Sequence, residues 1–70
     1  MYVLNWSAED FKKLLKMHNI KQKEIAEKIG VDRTYISQMS NGKGVSKLCA
    51  YAVCKAISPE LELYDLFLQE

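Results

Sequence analysis

The side chains in this sequence that could do chemistry are hydrogen-bonding groups rather than catalytic ones. Arg33, Thr34, Ser37 and Gln38 lie close together in the chain and carry guanidinium, hydroxyl and amide groups. Groups of this kind suit the edges of bases in a duplex, because arginine can bond both acceptors of guanine and glutamine can pair with adenine. The sequence has a single histidine, His18, and no cluster of carboxylates. We therefore expect no metal site, no cofactor and no acid–base catalysis, and we expect that the protein is not an enzyme.

A chain of 70 residues has room for one domain, which we expect to span 1–70, and for a modest core. Its composition, 49% apolar and 27% charged, is typical of a folded globular protein. Cys49 and Cys54 are five apart in one predicted helix, so they point in different directions and cannot bridge each other. We expect them to be small buried hydrophobes in a reducing cytoplasm. No stretch is apolar enough for a signal peptide or a membrane helix, which predicts a soluble cytoplasmic protein.

The net charge of +1 conceals an uneven distribution. Residues 12–47 carry nine Lys or Arg against three Asp or Glu, whereas residues 48–70 carry one lysine against four acidic residues. A basic middle segment suggests a phosphate-binding face. A solvated, lysine-rich helical surface would explain the same charges equally well. For Lys12, Lys13 and Lys16 we favour the solvated surface.

Apolar periodicity predicts five helices separated by short turns. Ser7, Asp32 and Ser46 are the expected N-caps, and Gly30 is the expected end of the second helix. The first six residues are apolar and predict a short extended arm, lying either on the domain or on a second subunit. The last segment is ambiguous between strand and helix, and we favour a helix. The predicted helices span about 7–18, 22–29, 33–40, 46–57 and 62–68.

The second and third helices meet the requirements of a helix-turn-helix. Gly30-Val31-Asp32 is a tight turn, Ala26 is small where the helices cross, and Ile36 and Met39 give the third helix one apolar side. The run Gln22–Met39, with its Q-x-E-I-A, G-V and I-S-x-M elements, is followed by Asn41-Gly42-Lys43. It resembles the Cro/C1-type helix-turn-helix family, which includes phage repressors, Cro proteins and plasmid or antitoxin regulators. The resemblance covers about residues 8–57 and is densest over 21–43.

The resemblance implies an all-α, compact, five-helix lambda-repressor-like domain that binds double-stranded DNA, usually as a homodimer. Residue types in the third helix predict that Arg33, Thr34, Ser37 and Gln38 contact bases. The resemblance assigns a phosphate contact to Gln22, at the start of the second helix, and residue type or position adds the other predicted phosphate ligands. These are Tyr35, Asn41, Lys43 and Lys47.

We expect a repressor of phage or mobile-element origin that occludes a palindromic operator and binds no small molecule or membrane. Arg33→Ala is expected to relax specificity at one base step, and Lys43→Ala to weaken binding to all sequences alike. The alternative is an antitoxin-like protein-interaction module, suggested by the acidic and apolar segment 61–68. Seven apolar side chains could pair two chains or could instead close the core of a monomer: Tyr2, Leu4, Leu48, Tyr51, Leu66, Phe67 and Leu68.

Overall fold

The computed structural model describes residues 1–70 and has five helices and two short strands. Four helices have bounds close to those predicted, and no helix has the length and apolar character needed to cross a membrane. The elements are β1 (Tyr2–Leu4), α1 (Ala8–Met17), α2 (Gln22–Ile29), α3 (Arg33–Ser40), α4 (Lys47–Ile57), α5 (Leu63–Leu66) and β2 (Phe67–Gln69).

Serine caps begin α1 and α4, as the sequence predicts. The Ser7 hydroxyl accepts a hydrogen bond from the Asp10 N–H at 3.1 Å, and the Ser46 hydroxyl accepts one from the Cys49 N–H at 3.2 Å. Each bond satisfies a backbone donor that the first turn of a helix leaves free. Asp32 occupies the N-cap position of α3, but its side chain makes no capping hydrogen bond.

The chain termini form a two-stranded antiparallel sheet, so the all-α prediction is incomplete. The predicted arm is β1, which pairs with β2 with Val3 opposite Leu68. Tyr2 also exchanges two backbone hydrogen bonds with Val45, both 2.8 Å long. The arm therefore lies on its own chain. The prediction that the last helix continues to Leu68 is wrong, because the backbone from Phe67 onward is extended and bonds to β1.

All five helices and both strands contribute to one hydrophobic core of 18 buried residues. The apolar faces predicted for α3 and α4 point into it: Ile36, Met39, Ala50, Val53, Cys54 and Ile57 are all buried.

The seven apolar residues that could have formed a dimer surface divide into two groups. Tyr2, Leu4, Leu66 and Phe67 are buried in the core, whereas Leu48, Tyr51 and Leu68 are exposed. The dimer-surface interpretation is therefore wrong for the first four, because a chain this small uses them to close its own core. Trp6 supports the same closure, since its indole N–H donates to the Asp65 carbonyl at 3.0 Å.

Candidate nucleic-acid interface

The turn between α2 and α3 depends on Gly30. This residue has φ 80° and ψ 33°, in the left-handed region that favours glycine. Its N–H and the N–H of Val31 both donate to the Ala26 carbonyl, at 2.9 and 3.0 Å. Val31 then packs against the core, so the chain reverses within three residues and sets α3 across α2. This is the helix-turn-helix arrangement that the sequence predicts.

The helix α3 has one buried side and one side open to solvent. Ile36 and Met39 are fully buried, while Arg33, Thr34 and Gln38 are exposed and Ser37 is half-buried. Because a helix repeats every 3.6 residues, the polar side chains form a ridge along the outer surface of α3. The four residues predicted to contact bases are thus together on one ridge, with Ser37 the least accessible.

A strongly basic groove lies beside the first turn of this ridge. It is an open groove of about 570 Å³, and five of its eight lining residues are lysine or arginine, with none acidic. The Glu24 carboxylate, which is not part of the lining, accepts from the Lys21 N–H at 3.2 Å. The groove carries a concentrated positive charge suited to phosphate. Its lining residues are Lys12, Leu15, Lys16, Ile20, Lys21, Gln22, Lys23 and Arg33.

The first residues of two helices line this groove. Gln22 is the first residue of α2 and Arg33 is the first residue of α3, and both line it. Backbone N–H groups in the first turn of a helix have no acceptor within that helix, and the positive end of the helix dipole lies there too. Helix starts of this kind bind anions. Gln22 therefore has the surroundings that its predicted phosphate contact needs.

Lys12 and Lys16 are exposed, in agreement with the solvated face that the sequence predicts. The fold also places both of them in the lining of the groove beside α2. The available signal was their spacing, since residues four apart lie on the same face of a helix. Lys13 does not line the groove, so the lysines of α1 divide between two surfaces. The position of α1 beside the start of α2 determines which of these lysines line the groove.

The opposite end of α3 is closed by a turn that needs a second glycine. Gly42 has φ 105°, and its N–H donates to the Met39 carbonyl at 3.1 Å. The Lys43 N–H donates to the Gln38 carbonyl at 3.1 Å, which completes a Schellman motif. The Lys43 ammonium also donates to the Gln38 side-chain oxygen at 3.1 Å. Lys43 is therefore folded back over the ridge.

The remaining predicted phosphate ligands differ in how accessible they are. Asn41 and Lys47 are exposed, although one amide N–H of Asn41 donates to the Ser37 carbonyl at 3.0 Å. Tyr35 is half-buried and packs against the core. A hydrogen bond between its hydroxyl and Cys49, together with burial, raises the pKa of Tyr35 to about 12.

The cysteines are free thiols, as predicted. Burial raises the pKa of Cys54 to about 11, with a further contribution from the Asp65 carboxylate, so this thiol stays protonated at neutral pH and is unreactive. No three or more His, Cys, Asp or Glu side chains lie close enough together to hold a metal ion.

A second, apolar groove of about 360 Å³ lies between the end of α2 and the first turns of α4. Leu48 at its edge is 81% exposed. The groove is lined by Ile29, Val31, Ser46, Leu48, Cys49 and Ala52.

Comparison with known proteins agrees with this geometry. A family model described as helix-turn-helix matches residues 11–56, a span that runs from α1 to the last turn of α4. No curated protein and no solved structure matches the chain significantly. The matched span contains the turn at Gly30, the ridge of α3 and the basic groove. The chain belongs to the Cro/C1-type helix-turn-helix family.

Proposed function

We propose that this protein is a sequence-specific regulator of transcription, a Cro/C1-like repressor of phage or mobile-element origin with a lambda-repressor-like domain spanning 1–70. The observation that carries the proposal is the continuity of the outer ridge of α3 with the basic groove. Arg33 belongs to both, so a side chain suited to base edges adjoins a surface suited to phosphates.

In this mechanism α3 enters the major groove of B-form DNA. The exposed side chains of its first turn, Arg33 and Thr34, approach bases first, because recognition helices present their N-terminal residues to base edges. Arg33 bonds the two acceptors of guanine and the methyl of Thr34 contacts thymine. Ser37 and Gln38 follow one turn later on the same ridge.

Phosphates on either side of the major groove hold the domain in register. On one side lie Gln22 and the cations of the basic groove, with free backbone N–H groups at the start of α2. On the other side lie Asn41, Lys43 and Lys47, beyond the C-terminal end of α3. Tyr35 is half-buried against the core, so its position favours a packing role over the phosphate contact predicted from its type.

Repression follows from occupancy. A homodimer on a palindromic operator, with half-sites about 34 Å apart, would cover the DNA that polymerase needs. Of the seven apolar side chains considered for pairing of two chains, Leu48, Tyr51 and Leu68 remain exposed. Sedimentation over a range of concentrations, with and without operator, measures whether pairing occurs free in solution or only on DNA.

Selection of bound sites from random duplex DNA at physiological salt tests the proposal. We expect a palindromic consensus. Arg33→Ala should relax the preference at one base pair of each half-site, because each bidentate base contact contributes about 1–3 kcal/mol of discrimination. Lys47→Ala is the matched control, since loss of a phosphate contact should weaken all sites by the same factor. If the DNA that the wild-type protein binds shows no consensus sequence, the proposal is refuted.

A second candidate function, an antitoxin-like protein-interaction module, is favoured by the apolar groove beside Leu48. The acidic and apolar segment 61–68 gives it less support than the sequence suggested, because Leu63, Leu66 and Phe67 are buried in the core. Co-purification with the product of a neighbouring gene, lost in Leu48→Glu but retained in Leu68→Glu, would support this function.

A further inference from the structure

One side-chain contact links a residue predicted to bind phosphate with a residue predicted to read a base. The Lys43 ammonium lies 3.1 Å from the Gln38 side-chain oxygen, and both residues are exposed. The contact does not depend on the two side chains alone. The Lys43 N–H also bonds to the Gln38 carbonyl, and the positive φ of Gly42 directs the chain back over α3. The backbone of the turn therefore holds Lys43 next to Gln38.

This contact determines which way the amide of Gln38 faces. An ammonium group has donors and no acceptor, so the amide oxygen, and not the nitrogen, must face Lys43. The two N–H groups of the amide then point away from Lys43 and are free to donate. In this state Gln38 acts toward DNA mainly as a donor.

Guanine and adenine differ in the hydrogen-bond acceptors that they present to such a donor. Guanine presents two acceptors in the major groove, N7 and O6, whereas adenine presents one acceptor and one donor. The usual glutamine–adenine pair needs the amide oxygen to accept from that adenine donor. In this protein the oxygen already accepts from Lys43, so only its second lone pair is left for the adenine donor. The positive charge of Lys43 beside it favours the electronegative edge of guanine instead.

We propose that Lys43 is a positioning residue that orients Gln38, so that Gln38 selects guanine over adenine. The inference rests on the proposed DNA-binding function and changes two expectations from the sequence. Gln38 pairs with guanine instead of adenine, and Lys43→Ala alters specificity instead of weakening all sequences alike. The Lys43 ammonium has three donors, so one can hold Gln38 while another contacts a phosphate.

The DNA test uses duplexes that carry the selected site and differ at one base pair, the pair whose preference is lost in Gln38→Ala. We expect the wild-type protein to favour guanine there, and Lys43→Ala to lower the guanine-over-adenine ratio by about fivefold or more. Preferences at the other positions should persist. Lys47→Ala, which removes a lysine with no contact to Gln38, should leave the ratio unchanged. In the Gln38→Ala background, Lys43→Ala should no longer change the guanine-over-adenine ratio.

A second measurement needs no DNA. In the free protein, Lys43→Ala should shift the NMR signals of the Gln38 side-chain amide, and Lys47→Ala should not. Absence of that shift would overturn the inference, as would a wild-type preference for adenine. An equal loss of affinity on every duplex in Lys43→Ala would overturn it while leaving the proposed function standing. If the wild-type protein shows no preference among duplexes, the proposed function fails, and this inference with it.

Discussion

Replacement of Lys12 and Lys16 by alanine tests whether the basic groove is a phosphate site. Both side chains line the groove, and both lie on the exposed side of α1, where alanine is a good helix former. Each phosphate neutralised by a lysine contributes about 0.9 to the slope of log affinity against log salt concentration. If each lysine neutralises one phosphate, the double variant should have a slope smaller by about 1.8 per bound chain. Between 50 and 200 mM salt, the factor by which its affinity for DNA falls should therefore be about 12 times smaller than the factor for the wild type.

The assay is a fluorescence anisotropy titration of the selected duplex at four or more salt concentrations. The matched control is Lys13→Ala combined with Lys28→Ala, which removes the same charge from exposed helix positions outside the groove. We expect the control slope to remain close to that of the wild type. If both pairs reduce the slope equally, the net charge of the protein would account for the salt dependence, and assignment of phosphates to the groove would be refuted.

Three further predictions concern the fold that holds the ridge in place. Phe67→Ala should lower the free energy of unfolding by about 3–5 kcal/mol, because the ring is fully buried. Leu68→Ala should lower it by less than about 0.5 kcal/mol, because the neighbouring Leu68 is 47% exposed. Equal losses for the two variants in urea denaturation would contradict the sheet at the termini. Gly30→Ala should cost about 1–2 kcal/mol by the same measurement, since no atom would clash with the new methyl group and the cost comes from φ 80° alone. Gly30→Asn should recover part of it, because asparagine tolerates this conformation. Tyr35 has a pKa of about 12 in the folded protein against 10.0 ordinarily, so its contribution to stability is complete below pH 10 and is lost as the pH rises toward 12. In Tyr35→Phe that loss should be absent from the alkaline denaturation curve, and an unchanged curve would show that the hydroxyl is not held by Cys49.

Much of the helical framework could be predicted because its signals are local. The apolar spacing of Ile36 and Met39, the cap at Ser46 and the glycine at position 30 each act within a few residues of the structure that they specify. The matches of α2 and α3 to their predicted bounds follow from this locality. The ridge of α3 and its base-contacting candidates are consequences of the same periodicity.

The parts that the sequence did not reveal depend on residues far apart in the chain. Phe67–Gln69 becomes a strand because its backbone pairs with Tyr2–Leu4, and α5 ends early for the same reason. Lys12 and Lys16 join the groove because α1 packs beside the start of α2, and Lys43 reaches Gln38 because a turn reverses the chain. Local periodicity therefore determined the helices and the polar face of α3, whereas tertiary packing alone decided which charges surround that face. The physical reason is that helix formation depends on neighbours in sequence, while electrostatic and strand-pairing partners depend on proximity in space.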